Sequence, residues 1–337
     1  MPRSPLIPPG HYRPPGGSAP LYPTTSQQAS LRRLLEQIAA EAAELEHGAV
    51  AQLVPVLHDA RRELIRDLRG WLLRVPEGGL RFTAQRYREA LLAIDGTMHE
   101  LARLRPALRA ALTEAQERSG RLAVGHLRFE VARMSAVFGE LSIPQLSTAA
   151  VLTAGRRQLI PRYRTSAARY AGRVVEDLRH QFGVGLARGE TFTELTERLR
   201  RLGGPRGLVA LRGVAGEPGA VVEDIAEGLF RRYRYWGERV VRTEVMHGYN
   251  LQHAQAIDAL NRDRIEAGDT PLLKRWDASL DSRLCQMCAN LDRRAVPADE
   301  PFAPGIPHPP AHPNCRCVVT AWNKRWGNIK GETRARV

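Results

Sequence analysis

The residues best suited to chemistry lie together near the end of the chain. All four cysteines fall within residues 285–317, and two of the ten histidines, His308 and His312, lie in the same Pro-rich stretch. Cys285 and Cys288 form a C-x2-C pair, the spacing at which a tight turn points two thiolates at one tetrahedral ion. Further along, the segment HPNCRC supplies an imidazole and two more thiols. This pattern predicts a metal site that is closed by protein ligands.

Thiolate and imidazole donors favour zinc, and four of them at one ion would give the zinc a structural role. The preferred ligand set is Cys285, Cys288, His312 and Cys315. An all-cysteine set that uses Cys317 is the alternative, because alternation along a strand puts Cys315 and Cys317 on the same side. Disulfides between the C-x2-C turn and HPNCRC are the competing explanation, although reducing conditions during cytosolic synthesis disfavour them. Four protein ligands leave no open position for water, so a catalytic zinc is not expected.

Short strands and one long helix are the elements that must position these ligands. The segments LLKRWDAS and CRCVVTAW are rich in aromatic and β-branched residues, and we expect them to form two strands that bracket the cysteine loop. The longest helical pattern precedes them, over about residues 220–267. Midway along this helix the buried stripe turns polar, and a buried polar group without a partner costs about 1–3 kcal/mol. We therefore expect this polar patch to find partners in the core or in a docked neighbouring element; it comprises Arg242, Thr243, Glu244, His247 and Asn250.

The chain as a whole is predicted to be mainly α. Its N-terminal half shows helical periodicity in four stretches, typical of a long-helix bundle or of hairpins, with PEGG separating the second stretch from the third. A second helical region follows and ends in the long helix; within it, Thr191 and Glu194 form a capping-box signature. The predicted segments are a Pro-rich extended arm (1–25), a helical bundle (26–145), an arginine-rich helical domain (146–270), a small α+β module clipped by the Cys/His cluster (271–322) and a basic tail (323–337).

The net charge of +14 points to an anionic partner. Residues 156–212 hold thirteen arginines against five acids, which makes this segment the first candidate for contact with nucleic acid or with an acidic protein; a solvated helical face is the alternative. No run of about 18 apolar residues is present, so no membrane contact is expected. The candidate patch comprises Arg156, Arg157, Arg162, Arg164, Arg169, Arg173, Arg198, Arg200 and Arg201.

The last third of the chain resembles the phage Mu F-like head morphogenesis family, the minor head proteins of tailed phages. The resemblance rests on VVRTEVMHGYNLQHA, on KRWDASLDSRLCQMCANLDRR and on PHPPAHPNCRCVVTAW. It covers roughly residues 185–322, while residues 1–150 carry no family signature. Leu284, where the family often has Thr, and a long Pro-rich loop are departures that leave the proposed ligands untouched.

The resemblance implies a non-enzymatic minor capsid protein. Its expected partners are the phage portal protein, other head or scaffold proteins and double-stranded DNA. Its expected location is the host cytoplasm during assembly and then the virion, in the head interior or at the portal vertex. The alternative function is a zinc-supported HNH-like nuclease on phage DNA, with His308 or His312 as general base and Asp277 or Asp281 on a catalytic divalent ion.

Overall fold

The computed structural model describes residues 26–72, 83–138, 146–191, 194–195, 197–198, 218–278 and 284–323. The predicted Pro-rich arm lies outside these residues, as do Arg200, Arg201, Asp281 and almost all of the predicted basic tail. Within the described part, long helices account for most residues and a three-stranded sheet lies near the C-terminus. The prediction of a mainly α chain with a small C-terminal α+β module is therefore confirmed.

Six helices precede the sheet in the described residues, and a seventh, short helix lies between its strands. Their bounds are α1 Ser26–Leu72, α2 Ala84–Ala93, α3 Asp95–Ala102, α4 Leu104–Phe138, α5 Thr148–Ala187, α6 Pro218–Glu266 and α7 Gln286–Leu291. The helix predicted over about residues 220–267 corresponds to α6. In the part of the chain that the structure covers, no helix combines the length and apolar character needed to cross a bilayer.

Helix α1 corrects the expected organisation of the N-terminal region. Two of the four predicted helical stretches are one continuous helix, which passes through Pro55. A proline inside a helix costs about 3 kcal/mol, because it removes a hydrogen bond and crowds the preceding turn. Burial of apolar side chains around the proline offsets that cost. Leu53, Val56, Leu57 and Ala60 are all buried.

The third stretch of helical periodicity, TAQRYREALLAIDGTMHELARL, is interrupted where one continuous helix was expected. Helix α2 ends at Ala93 and α3 begins at Asp95, because Ile94 leaves helical geometry with φ −91° and ψ 14°. The carboxylate of Asp67 accepts hydrogen bonds from the Thr97 backbone N–H at 3.1 Å and from its hydroxyl at 2.8 Å. This contact ties the start of α3 to α1 and is a tertiary feature that local periodicity does not encode.

The sheet has the strand order β2-β1-β3, with both pairings antiparallel. Strands β1 (Leu273–Asp277) and β3 (Val318–Trp322) lie within the two segments predicted to be strands. Strand β2 (Ala295–Pro297) and helix α7 were not predicted. Because β3 is an edge strand, half of its backbone groups need partners outside the sheet.

The chain divides into two compact units that combine separated stretches. The first unit comprises Met1–His47, Thr113–Pro161 and Arg242–Val337; the second comprises Gly48–Leu112 and Arg162–Val241. Helices α1, α4, α5 and α6 each contribute residues to both. The domain boundaries predicted from the sequence, which follow one another along the chain, remain a prediction.

The core of the first unit lies beneath the small sheet. Trp276 of β1 is fully buried and meets Phe302 edge to face, with ring centroids 5.3 Å apart. Apolar residues of α4 and α6, including Leu127 and Ile257, join the same core, and so do all four cysteines. The thiols therefore lie in the part of the module that packs on the helices.

The second unit has its own buried stripe on each of its long helices. The Tyr170 hydroxyl of α5 donates to the Tyr233 carbonyl of α6 at 3.0 Å, and a Cβ at Gly237 would lie 2.9 Å from that hydroxyl. The predicted capping box is present: the Thr191 N–H donates to Glu194 at 2.8 Å, and the Glu194 N–H donates to the Thr191 hydroxyl at 3.2 Å.

Candidate metal centre and its docking on the long helix

The C-x2-C pair is positioned by the short helix α7. Cys285 is the N-cap of α7, with extended backbone (φ −90°, ψ 159°), and its Sγ accepts the Cys288 N–H at 3.5 Å. This is the geometry in which serine commonly caps a helix, here made with sulfur. One turn of helix thus brings the Cys288 thiol beside the Cys285 thiol, and both side chains are buried.

The HPNCRC segment supplies the facing donors through a tight turn. The Cys315 N–H donates to the His312 carbonyl at 3.2 Å, and Asn314 adopts φ 63°, a left-handed conformation that asparagine tolerates better than most residues. The His312 Nδ1–H donates to the Pro313 carbonyl at 2.9 Å. That bond fixes the ring and leaves Nε2 as the nitrogen that faces the thiols.

The five candidate donors form two triads that share Cys288. The first triad is Cys285, Cys288 and His312, and the second is Cys288, Cys315 and Cys317; within each, the ligand atoms lie within 4.8 Å of one another. Nε2 of His312 lies 3.0 Å from the Cys285 sulfur and 3.2 Å from the Cys288 sulfur, and the Cys288 and Cys315 sulfurs are 3.7 Å apart. Every donor of the two predicted ligand sets belongs to one of these triads, while each predicted set of four draws on both triads.

These distances fit a tetrahedral zinc site. Zn–S bonds of about 2.3 Å and Zn–N bonds of about 2.0 Å at tetrahedral angles put two sulfurs about 3.8 Å apart and a sulfur and a nitrogen about 3.5 Å apart. The sulfur–sulfur distance observed here matches that value, and the sulfur–nitrogen distances are shorter by a few tenths of an ångström. A soft donor set of thiolates and one imidazole is also the set that zinc prefers.

Protonation within the cluster follows from its hydrogen bonds. The Cys288 thiol donates to its neighbours, which raises the pKa of Cys288 and, with the help of His312, lowers the pKa of Cys285 to about 4. Hydrogen bonds from Cys288 and Cys317 lower the pKa of Cys315 to about 3. Contact with Cys285 raises the pKa of His312 to about 9, against the opposing effect of burial. Two of the thiols are thereby prepared to bind a cation as thiolates.

All four cysteines are free thiols in the structure. The disulfide pairing kept as an alternative is therefore not formed, and the Cys/His groups are able to hold a metal ion.

The polar patch on α6 contacts the HPNCRC turn. Arg242 bonds both carboxylate oxygens of Glu46, with Nε 2.9 Å from Oε2, and its Nη1 donates to the Asn314 side chain at 3.2 Å. The Thr243 hydroxyl accepts the Asn314 N–H at 3.2 Å. Glu244 is buried next to them. The patch therefore finds its partners in a docked neighbouring element, one of the two outcomes expected from the sequence.

Further along α6, side chains occupy the open backbone edge of the sheet. The Val319 N–H donates to Asn250 Oδ1 at 2.7 Å, while Asn250 Nδ2 donates to the Cys317 carbonyl at 3.1 Å. The Ala321 N–H donates to the carboxylate of Glu130 on α4 at 2.8 Å. Alternate residues of the edge strand β3 are thus bonded to the helices, which leaves this edge unavailable for further strand pairing.

Asn261, which the sequence interpretation missed, holds a backbone segment in the same way as Asn250, with its side-chain amide both accepting and donating a hydrogen bond; this arrangement is here called an amide clamp. Its side chain accepts the Leu272 N–H at 2.7 Å and donates to the Leu272 carbonyl at 2.8 Å, just before β1 begins. Asn250 and Asn261 are eleven residues apart, which places them on one face of a helix. A repeat of asparagine at that spacing in an otherwise buried stripe is the signal that could have identified the pair.

A second polar network beneath the patch was also missed. The Gln252 amide donates to the Gln116 carbonyl at 3.2 Å, to the Ser119 hydroxyl at 3.2 Å and to the Gly248 carbonyl at 3.0 Å. His253, fully buried, lies 3.0 Å from the Ala123 carbonyl. These residues follow the predicted patch on α6, but apart from Gly248 their partners are more than one hundred positions away, and local pattern gives no sign of them.

The residues of the nuclease alternative have structural partners. His308 is buried, its Nδ1 lies 2.7 Å from the Pro309 carbonyl, and its ring lies 4.6 Å from that of His247. Asp277 is buried and bonded by Arg275, at 3.1 Å and 3.2 Å, and by the Thr320 hydroxyl. Within the described residues, the groups able to hold a metal contain neither Asp277 nor His308.

The candidate arginines have different surroundings. Arg156 pairs with Glu117, and Arg157 and Arg164 are exposed. Arg198 is engaged internally: its Nε lies 3.0 Å from both oxygens of Glu190, Nη1 lies 2.9 Å from the Gln181 side chain, and only 16% of the side chain is exposed. The remaining described members, Arg162, Arg169 and Arg173, are exposed on α5.

The fold and the cluster together define an α+β module that carries soft metal ligands and docks on a long helix. Residues 176–320, less than half of the chain, match the family model described as Phage Mu protein F like protein. The resemblance stated from the sequence motifs is thereby confirmed over this region. The match indicates a phage head morphogenesis protein with a place in the virion. No curated protein and no solved structure matches the chain.

Proposed function

We propose that this protein is a minor head protein that joins the portal during assembly of a tailed-phage capsid, and that its C-terminal module is held in shape by one structural zinc. The family match at residues 176–320 is the observation that carries the head role. The zinc is supported by two triads of soft donors that share Cys288, in which the four thiols are buried and His312 is partly buried. The protein acts by binding, without turnover of a substrate.

The metal has a clear physical task in this fold. The module rests on strands of three to five residues and a six-residue helix, which provide little core of their own. Zinc would join α7 to the HPNCRC turn, and that turn contacts α6 through Asn314. Metal binding would then add directly to folding free energy, because the donors converge only in the folded chain. The ion would thus connect the small sheet to the helix that bears Arg242, Thr243 and Glu244.

Metal analysis of the purified protein tests the zinc. We expect about one zinc per chain, and loss of that zinc in Cys288→Ser, because Cys288 belongs to both triads. Met287→Ser is the matched control, since Met287 is the neighbouring residue of α7 and its side chain points to solvent with 43% exposed. Full zinc content in Cys288→Ser, or a metal-free protein whose module unfolds at the same denaturant concentration as the loaded one, would contradict the zinc assignment.

Co-purification tests the head role. The full chain expressed with the portal protein of the same phage should co-elute with portal oligomers, and particles isolated from infected cells should contain the chain. A variant that lacks residues 1–25 should bind portal less well, because we assign portal contact to the N-terminal arm and helices. Assembly of filled heads of normal composition in the absence of the chain would overturn this function.

A further inference from the structure

A buried pair of a histidine and a carboxylate lies beneath the outer edge of the sheet in the first unit. The side chain of His253 on α6 is fully buried, and that of Glu130 on α4 is 4% exposed. Nε2 of His253 lies 3.3 Å from Oε2 of Glu130, and the same oxygen accepts the Ala321 N–H of β3 at 2.8 Å. One carboxylate oxygen therefore joins two helices and the edge strand.

Both ring nitrogens of His253 face oxygens that only accept hydrogen bonds. Nδ1 lies 3.0 Å from the Ala123 carbonyl, and Nε2 faces the carboxylate of Glu130. A neutral imidazole carries one N–H, so it would satisfy one of these contacts and set two lone pairs against each other at the other. An imidazolium donates at both positions. Because a carboxylate oxygen has two lone pairs, Oε2 of Glu130 is able to accept from His253 and from Ala321 together.

The second oxygen of the Glu130 carboxylate adds nothing to its stabilisation. Oε1 is buried and has no hydrogen-bond partner among the residues that the structure describes. A buried ionised carboxylate needs a compensating charge, because removing an isolated charge from water is costly. With an imidazolium at His253 the pair is neutral as a whole. With a neutral imidazole it would leave one negative charge in the core.

The titratable groups around this pair come from all three packed helices. On α6, Tyr249 stacks on the His253 ring with centroids 5.7 Å apart, and burial raises the pKa of Tyr249. On α4, Nδ1 of His126 lies 2.9 Å from the Tyr249 hydroxyl, and burial, followed by the charge of His253, lowers the pKa of His126. On α1, Glu41 lies 2.9 Å from Nε2 of His126 and is 27% exposed. Strand β3, VVTAW, adds no titratable side chain.

These neighbours do not replace the charge of an imidazolium at His253. The shifts keep both Tyr249 and His126 neutral, so the Tyr249 hydroxyl donates to Nδ1 of His126. The carboxylate of Glu41 adds negative charge at the partly exposed side of the cluster. The compensating positive charge for Glu130 is therefore assigned to His253.

We propose that His253 is an imidazolium in the folded chain and that its second proton holds the edge of β3 on α4 and α6. The proton latch, as we call it, consists of His253, Glu130 and the Ala321 N–H. Loss of the proton leaves a buried negative charge and two facing lone pairs, which are relieved when β3 moves away and water reaches Glu130. The latch therefore opens as the pH rises.

The direction follows from proton binding. An exposed histidine releases its proton near its ordinary pKa of about 6.5, so above that pH the open state holds one proton fewer than the closed state. The closed state is then favoured less with each further rise in pH. An opening that releases one proton becomes about tenfold more favourable per pH unit.

Amide hydrogen exchange of the metal-loaded full chain tests the latch. After correction for the base-catalysed intrinsic rate, protection of the Ala321 N–H should fall by about tenfold per pH unit between about pH 7 and 9. The Val319 N–H is the internal control on the same strand, because the neutral Asn250 side chain accepts it, and its protection should fall less. Protection of Ala321 that is independent of pH, or that falls no more steeply than that of Val319, would overturn the proposal.

Three substitutions assign the proton. Glu130→Gln removes the countercharge and His253→Gln removes the imidazole, so each should abolish the tenfold dependence. His126→Gln removes the other histidine of the cluster, which is neutral in this arrangement, and should leave the dependence in place. If His126→Gln abolishes the dependence and His253→Gln keeps it, the proton belongs to His126 and the proposal is wrong.

Nitrogen-15 NMR of the unmodified chain gives an answer even where a variant does not fold. At about pH 8, where an exposed histidine is neutral, the His253 ring should show two protonated nitrogens. Its signals are assigned by through-space transfer from the Tyr249 ring, which stacks on it. A neutral ring that carries its proton on Nδ1 alone would contradict the proposal, whatever the pH dependence of exchange.

Discussion

The Val319 backbone N–H donates to the side-chain oxygen of Asn250 at 2.7 Å, and the same amide donates to the Cys317 carbonyl at 3.1 Å. One side chain of α6 therefore replaces the strand that β3 lacks on its outer edge. Because Cys317 belongs to the candidate metal centre, this amide connects the long helix to the metal ligands through a single residue.

Asn250→Ala should destabilise the C-terminal module strongly. Asn250, Cys317 and Val319 are all buried, so truncation removes the acceptor of the Val319 N–H and one donor to the Cys317 carbonyl, and a lost buried partner costs about 1–3 kcal/mol. We expect the free energy of unfolding to fall by about 2–5 kcal/mol in urea titrations of the metal-loaded protein. Asn290→Ala is the control, since Asn290 is exposed on α7, and it should change the value by less than about 0.5 kcal/mol. Similar losses in both variants would argue against the amide clamp.

Two glycines of α4 should respond in opposite directions to the same substitution. A Cβ at Gly120 would lie 2.1 Å from Gln252 Oε1 and 2.5 Å from Leu152 Cδ2, whereas a Cβ at Gly125 meets nothing within 4 Å. Gly120→Ala should therefore destabilise by about 1–3 kcal/mol through overpacking, because Gln252 cannot move without losing its buried hydrogen bonds. Gly125→Ala should stabilise by up to about 1 kcal/mol through helix propensity.

Thermal unfolding of both variants measures these effects. Adding Gln252→Ala to Gly120→Ala should recover part of the loss, so that the double variant is more stable than the sum of the single effects predicts. Additive effects would show that Gly120 and Gln252 do not meet.

Asp292 should make stability fall as the pH rises between about 4 and 6. Burial, reinforced by Asp277, raises the pKa of Asp292 from 3.8 to about 6, although the Ala278 N–H and two arginines oppose the shift. The folded state thus binds more protons than the unfolded state between these values, and stability is lost as the pH increases through that window. Asp292→Asn removes the penalty and still accepts the Ala278 N–H.

We expect Asp292→Asn to gain on the order of 1–3 kcal/mol over the unmodified protein at pH 7 and much less at pH 4, in urea titrations at both values. Asp258→Asn serves as the comparison, because Asp258 is 48% exposed and pairs along α6 with the exposed Arg262. An advantage of Asp292→Asn that is equal at both pH values would exclude this interpretation.

Arg242→Lys should loosen the attachment of the HPNCRC turn. Arg242 uses its planar fork to bond both oxygens of Glu46 and the Asn314 side chain, and a lysine ammonium cannot reproduce that arrangement. We expect a loss of about 1–2 kcal/mol and faster zinc transfer to a chelator. Arg262→Lys, at a 70% exposed position, should change neither quantity measurably. Unchanged zinc transfer in Arg242→Lys would show that the turn is held independently of α6.

Much of this molecule follows from local sequence. The buried stripe of α6, the strand segments around Trp276 and Val319, and the capping box at Thr191 and Glu194 were all predicted, because periodicity, β-branched content and hydrogen bonding over three residues are local properties. The candidate ligands were identified in the same way, since C-x2-C and HPNCRC put donors at spacings that turns and strands convert into proximity.

Other features depend on contacts between residues far apart in the chain and were decided only by the tertiary structure. Pro55 is expected to end a helix, yet α1 continues through it because its buried stripe outweighs the local cost. Asn250 was predicted to need a partner, but only the folded chain shows that β3 supplies it. The contact of Asn261 with Leu272, and the enclosure of Arg198 by Glu190 and Gln181, were not predicted. The sequence by itself determined the helices, the strands and the inventory of metal donors. Only tertiary packing decided which polar groups are buried together, because that depends on pairs of residues far apart in the chain whose desolvation must be matched by hydrogen bonds.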